Sequence, residues 1–272
     1  MSEVSLRRAE RADFAALGAL WEECFGDTEG FISAFFAALP ALGGGVVAEI
    51  DGRIAGAAYA LTGQSVITPP NPPARVGYIY GVGVEEKCRS HGIGRRVTLA
   101  ARELAYALGA DIIATLPAEE RLYAWYEDIL GVKHRLYRAK TELESRALAD
   151  VAPISAEEYL MRREAILAAK PHLLLSPASM EFENAMLREY GGGLYAVGEG
   201  AIAAAYTENG KAVVRELLGE KEPETLCAYA AAVGAALDCP TAELWRESEK
   251  GQSYIAADCP LPSDFVWNLS FD

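Results

Sequence analysis

The sequence predicts an α/β fold with a mixed sheet in the first half of the chain and a related α/β unit in the second. Three observations predict it. The apolar run Tyr78-Ile79-Tyr80-Gly81-Val82-Gly83-Val84 is followed by the turn Arg89-Ser90-His91-Gly92-Ile93-Gly94 and then by a helix-forming run, Arg95 to Leu108. That is a strand, a glycine-bearing turn and a helix in direct succession. Asp51-Gly52 sits between two apolar runs, as in a β-hairpin. Short strand-like and helix-like stretches alternate along the rest of the chain, the pattern of a layered α/β domain.

In order, Val4 to Arg8 reads as a strand, and Asp13 to Phe25 as a helix with Phe14, Leu17, Leu20, Trp21 and Cys24 recurring at three and four. Gly26-Asp27 ends that helix, and Asp27 or Thr28 caps the next, Phe31 to Leu39. Gly43 to Glu49 and Ile54 to Thr62 form the hairpin arms, and Pro69 to Pro73 a turn-rich connection. After the helix that ends at Gly109, Asp111 to Leu116 reads as a strand, Glu119 to Leu130 as a helix and Val132 to Leu143 as a strand. Asp150-Val151-Ala152-Pro153 reads as a boundary, which gives domains at 1–148 and 149–272. Ser155 and Glu158 open a helix, Ala156 to Ala169, in capping-box spacing. Met180 to Tyr190 is a second helix. Leu194 to Val197, Ala201 to Thr207 and Ala212 to Leu218 are strands, Thr225 to Leu237 a helix and Ala242 to Arg246 a last strand.

Composition narrows the function. The 272 residues are about half apolar and contain no uninterrupted apolar stretch long enough to span a bilayer, so no membrane partner is expected. The start has no apolar signal core. Five scattered cysteines and three histidines give neither a disulfide framework nor metal-ligand spacing, so no metal is expected and a reducing, cytoplasmic setting is. A net charge of −14 disfavours nucleic acid as a partner. Most of the net negative charge falls in the second half, which has fewer basic residues, a field suited to attracting a cationic amine.

Backbone N–H groups at a helix N-terminus form an anion site, and Gly92 and Gly94 let a phosphate approach the main chain. Arg89, Arg95 and Arg96 add charge there. From Val82 to Gly94 the residues resemble the coenzyme A loop of the GNAT acyltransferases, Arg/Gln-x-x-Gly-x-Gly/Ala after a strand ending apolar-x-Val. Glu86 stands where a proline is common and Ser90 where a first glycine is common. The order of elements in the first half also resembles a GNAT domain. The resemblance implies that acetyl-CoA is the cosubstrate. Its pyrophosphate would sit over Arg89, Ser90, His91, Gly92, Ile93, Gly94 and Arg95, and its pantetheine arm against Val82, Gly83 and Val84. The strand backbone would present an N–H to the thioester oxygen.

Leu122 to Gly131 resembles the family's tyrosine-bearing helix and aligns Tyr126 with the general acid that protonates the leaving thiolate. Here Glu119 replaces an asparagine, and four residues rather than three separate Tyr126 from Gly131. Tyr123, one turn earlier, is the reserve. Glu85 follows the key strand, Tyr78 and Tyr80 lie on it, and Glu22 and Glu23 sit on the first helix near where the family's acceptor sites form; no general base is singled out. Cys88 lies at the pyrophosphate end, far from a reacting sulfur.

The second half reads as a degenerate GNAT-like unit, because its corresponding turn, Leu218 to Glu224, has no paired glycines and three glutamates. One coenzyme A per chain is expected, with the second half shaping the acceptor site. The resemblance thus implies an N-acetyltransferase acting on a primary amine of a small molecule by direct attack in a ternary complex. The competing reading is a CoA-binding or sensory protein that keeps the fold with little turnover. A P-loop reading fails because no Gly-Lys-Ser/Thr follows the turn. The sequence leaves the oligomeric state open.

Overall fold

The computed structural model describes residues 3–269. They form two compact units, both discontinuous in sequence. The first comprises residues 3–66, 73–135 and 253–261, the second residues 67–72, 136–252 and 262–269. The sequence reading divides the chain once, after residue 148. The units instead exchange segments: residues 136–148 go with the second and 253–261 return to the first.

The first unit is built on strands β1 (Val4–Arg8), β2 (Gly43–Ile50), β3 (Arg53–Ile67), β4 (Ala74–Val84) and β5 (Ile112–Thr115), completed by β13 (Gln252–Ala257). The order is β1-β2-β3-β4-β5-β13. β1 through β4 pair antiparallel, β5 is parallel to β4, and β13 is antiparallel to β5 through Ala256↔Thr115 and Ala257↔Ala114. Helices α1 (Phe14–Phe25) and α2 (Glu29–Leu42) follow β1, α3 (Ile93–Ala107) joins β4 to β5, and α4 (Glu120–Leu130) follows β5. Thr28 caps α2 by accepting from Phe31 N at 3.0 Å. α3 and α4 bury Val97, Ala101, Ile129 and Tyr126 in one core with Val46, Ala48, Ile79 and Ile113. On α1 and α2, Trp21, Phe35 and Phe36 pack with Tyr59 of β3 in an aromatic cluster, ring centroids 4.6–6.2 Å apart.

The second unit has strand order β6-β12-β11-β10-β9-β7, with β6 (His134–Glu144), β7 (Val151–Pro153), β9 (Gly193–Val197), β10 (Ala201–Glu208), β11 (Lys211–Leu218) and β12 (Thr241–Ser248). Helices α5 (Ala156–Leu167) and α6 (Pro177–Glu189) lie between β7 and β9, and α7 (Pro223–Ala236) joins β11 to β12. β9, β10 and β11 form an antiparallel meander, and β12 runs parallel to β11. That is the same connection as β2-β3-β4-α3-β5. Alanines of β10 and α7 allow close helix–sheet packing, with Ala203, Ala205, Val214, Ala230 and Val233 in one core. The unit also buries charge: Arg163 Nε donates to Glu216 at 3.0 Å and Tyr159 OH to the same carboxylate at 2.8 Å.

Three elements differ from the sequence reading. Val151–Pro153, read as a boundary, is strand β7, paired with β9 through Val151↔Val197. The short strand β8 (His172–Leu175) and strand β13 carry no helix-like or hairpin signal; they gain their hydrogen bonds from residues distant in sequence.

Candidate active site

β4 carries the geometry that opens a site. Its pairing with β5 runs from Val76↔Ile112 to Ile79↔Thr115. The Thr115 hydroxyl donates to Ile79 O at 2.9 Å at that end. Pairing with β3 continues on the other edge to Gly56↔Val84. The β4–β5 ladder therefore ends before Tyr80–Val84, the stretch that reaches the turn. A bulge lies in the same stretch, where the register steps from Ala57↔Gly83 to Tyr59↔Tyr80. Gly81 absorbs it at φ +55, and a Cβ there would lie 2.7 Å from the Trp21 ring.

The turn after β4 leads straight into α3. The helix begins at Ile93, two residues before the expected Arg95, with Gly92 as its N-cap at φ +75. Ser90 is also left-handed, at φ +65. The first helical hydrogen bond is Arg96 N to Gly92 O, 3.1 Å. The N–H groups of Ile93, Gly94 and Arg95 are then the helix's unshared donors, and no side chain among the described residues caps them. A Cβ on Gly92 would meet nothing within 4 Å, and one on Gly94 would stand 3.7 Å from Val84 Cγ2 and 3.9 Å from Trp125 Cζ2. The face above these amides is thus open, with the Trp125 ring beside it. This is the cradle a phosphate group requires.

A cavity of about 720 Å³ joins the two features. Val82, Gly83 and Val84 line it from β4, and Arg89, Ser90, Gly92, Ile93, Gly94 and Arg95 from the turn and helix start. Tyr126 lines it from α4. Two of the expected site residues are placed differently. His91 is exposed, its Nδ1 2.7 Å from Arg89 O, and is not among the lining residues. Tyr123 is also absent from the lining; it is buried in the core, with the Arg135 guanidinium 4.4 Å from its ring centre. The sequence reading passed over Cys24 and Phe25 at the end of α1 and Arg121 and Trp125 on α4, all of which line the cavity. The spacing of Arg121, Leu122, Trp125 and Tyr126 marks one face of α4, a signal that was legible.

The charges divide by partner. Arg89 Nε donates to Val84 O at 3.0 Å, which ties its guanidinium to the strand end. Arg95 is paired with Asp128 at 2.6 Å and Arg121 with Glu119 at 2.5 Å, all four largely exposed. Glu85 is bonded to Lys87 at 2.8 Å, and this ammonium holds its carboxyl below the usual range. It is therefore a weaker base than an ordinary glutamate. Glu23 accepts from Glu86 N at 2.7 Å and so anchors α1 to the strand end. Burial pushes the Tyr126 phenol up to about 12. Burial likewise raises the Cys24 and Cys88 thiols, Cys88 with Glu85 at 3.5 Å adding to the effect. Both cysteines are thus neutral thiols at physiological pH.

Among the described residues no group of three His, Cys, Asp or Glu side chains is arranged to hold a metal ion, and no helix is long and apolar enough to cross a membrane. The five cysteines are unbridged.

The Acetyltransferase (GNAT) family profile matches residues 6–132, the stretch from β1 to the end of α4. Solved structures share the fold across nearly the whole chain. A GCN5-related N-acetyltransferase from Kribbella flavida is 14% identical with a TM-score of 0.69, covering 94% of this chain and 70% of its own. A probable N-acyltransferase from Enterococcus faecalis V583 is 11% identical with a TM-score of 0.70, covering 94% and 72%. A GCN5-related N-acetyltransferase from Anabaena variabilis is 12% identical with a TM-score of 0.68, covering 94% and 72%. No curated protein matches the sequence.

Proposed function

We propose that this chain is a GNAT N-acetyltransferase that moves an acetyl group from acetyl-CoA to the primary amine of a small molecule. The observation that carries the reading is a single cavity with an open helix N-terminus at one part of its wall and the strand backbone of Val82–Val84 at another. A pyrophosphate fits the amides of Ile93, Gly94 and Arg95. The edge of β4 beyond Ile79 suits an extended amide chain that hydrogen-bonds as a strand would. Bound there, acetyl-CoA supplies an acyl group activated as a thioester.

The chain's own residues then have separable tasks. Arg89 and the α3 amides hold negative charge. The Val82–Val84 backbone orients the arm, and a main-chain N–H stabilises the oxyanion. The acceptor nitrogen attacks the carbonyl carbon, the C–S bond breaks, and a proton passes from the nitrogen to water. Tyr126 donates to the departing sulfur. Its raised pKa makes full proton transfer roughly 3 kcal/mol harder than for an ordinary phenol. Tyr126 therefore acts chiefly as a hydrogen-bond donor to the developing thiolate, with water completing the protonation. The neutral thiols of Cys24 and Cys88 favour direct attack over an acyl-cysteine intermediate.

The second unit reads as a degenerate GNAT-like domain with no cofactor. Support comes from the repeated order β9-β10-β11-α7-β12 and from the start of α7. Pro223 there removes an N–H, and Glu220, Glu222 and Glu224 oppose an anion. The acidity of the second half supports a cationic acceptor.

The test is thiol release from acetyl-CoA in the presence of a panel of polyamines, amino acids, aminoglycosides and peptide amines, alongside calorimetry with CoA. The reading expects one CoA per chain and amine-dependent release. Failure to bind CoA would overturn it. Binding without release on any amine would favour a sensory role.

A further inference from the structure

We propose that Trp125 is a further phosphate contact of this site: its indole N–H, offered from α4, donates to the pyrophosphate held at the start of α3. The proposal rests on the reading of the cavity as an acyl-CoA site.

Two contacts fix how α4 lies against the start of α3. Arg95, the third residue of α3, is paired with Asp128 at 2.6 Å. Trp125 stands nearly one turn earlier on α4, and its Cζ2 would be 3.9 Å from a Cβ on Gly94, the residue before Arg95. The ring therefore borders the open face of the α3 amides without filling it, and Trp125 and Gly94 both line the cavity. In an indole, Cζ2 and Nε1 are both bonded to Cε2. The edge of the ring that comes up to the amides is thus the edge that carries its N–H.

That donor is unclaimed. An indole N–H can donate and cannot accept. Trp21 gives its own to Asp27 at 2.7 Å, and Trp245 gives its own to Glu243. Trp125 Nε1 has no hydrogen-bond partner among the described residues. Trp267 Nε1 has none either, but that ring is fully buried. Of the four tryptophans, Trp125 alone is partly exposed and alone lines the cavity. Its ring is held in place. It meets Tyr126 edge-on, ring centroids 4.7 Å apart at 81°, and packs on the core shared by α3 and α4. Packing accounts for the apolar part of the ring. It does not require a free donor beside three free backbone donors; an anion that accepts from both sides does.

The test is calorimetry of the full chain with CoA, with ADP as a competitor, and tryptophan fluorescence in the same titrations. The proteins are the wild type, Trp125→Phe and Trp125→Leu, with circular dichroism to establish folding. Phenylalanine keeps an aromatic ring and lacks the N–H. Both variants should therefore bind CoA about ten- to a hundredfold more weakly, the scale of one hydrogen bond to a charged group. ADP carries the pyrophosphate without the pantetheine arm and should weaken by a similar factor. CoA should change the emission of the wild type and leave that of Trp125→Phe unaltered, because the other three tryptophans are at most 8% exposed and none lines the cavity. Wild-type affinity in a folded Trp125→Phe protein would overturn the proposal, as would a loss for CoA that ADP does not share, the mark of a ring that only packs on the arm. No binding of CoA by the wild type would instead sink the reading of the cavity, and this proposal with it.

Discussion

Gly94→Val separates the anion site from the fold. Gly94 is the second residue of α3, in ordinary helical conformation, so valine is not strained there. In a helix valine is slightly better tolerated than glycine, by a few tenths of a kcal/mol. Its Cβ would make van der Waals contact with Val84 and Trp125 at 3.7 and 3.9 Å. Two further methyls then stand in the gap that a phosphate would need. Hydrogen bonds to a charged group contribute about 1.5–3 kcal/mol each, so losing two amides to a blocked approach costs about 3–6 kcal/mol. That is roughly 10²- to 10⁴-fold in affinity. Calorimetry with CoA and acetyl-CoA at fixed salt, paired with a thermal melt, reads both quantities. The melting temperature should hold while binding is lost, and Gly94→Ala should fall between. Wild-type affinity in a folded Gly94→Val protein, or two CoA molecules per chain, would refute the reasoning.

Tyr126→Phe should lower turnover by about 10- to 100-fold, at or below the low end of the roughly 10²–10⁴-fold general-acid range because water substitutes for the phenol, and leave the KM for acetyl-CoA near its starting value. Equal losses in both parameters would make Tyr126 a packing residue. Glu247, in the second unit, has its carboxyl raised to about 7, by burial first and by Glu216. Its protonated form stabilises the fold fully below the ordinary value of 4.5, and that contribution is lost as pH rises through about 7. Glu247→Gln should therefore raise the melting temperature at pH 8 and change it little at pH 5, an effect of at most roughly 3 kcal/mol. An equal shift at both values would contradict the assignment. Residues 1–148 expressed alone should fail to give a sharp melt, because they lack β13, whose Tyr254 to Ala257 are at most 2% exposed. A cooperative transition in that fragment would show that β13 is dispensable.

The sequence was most legible where chemistry is local. The turn at Gly92 and Gly94, the strand before it and the helix after it are set by residues within one short segment. The cap at Thr28 and the ends at Gly26 and Gly131 follow from side chains and backbone angles nearby. What was hidden depends on distant partners. β7 is three residues long and exists because β9 offers an edge. Cys24 fits the apolar face of α1 by spacing, and nothing in that spacing tells that its sulfur meets Gly83. Tyr126 and Tyr123 are indistinguishable by residue type, and only tertiary packing turns one to the cavity and the other under Arg135.

The exchange of segments between the units bears on how the protein is made. β5 ends at Thr115 and β13, its antiparallel neighbour, ends at Ala257, about 140 residues later. A ribosome adding about 5–20 residues per second needs roughly 7–28 seconds to deliver that neighbour. Through that interval the nascent first unit carries an unfilled strand edge, the surface most prone to pair with the wrong chain. Nascent chains crowded on one message therefore face a hazard that a finished, purified chain does not. Yield in a cell should depend on translation speed and on holding chaperones more than the melting temperature of the mature protein would suggest.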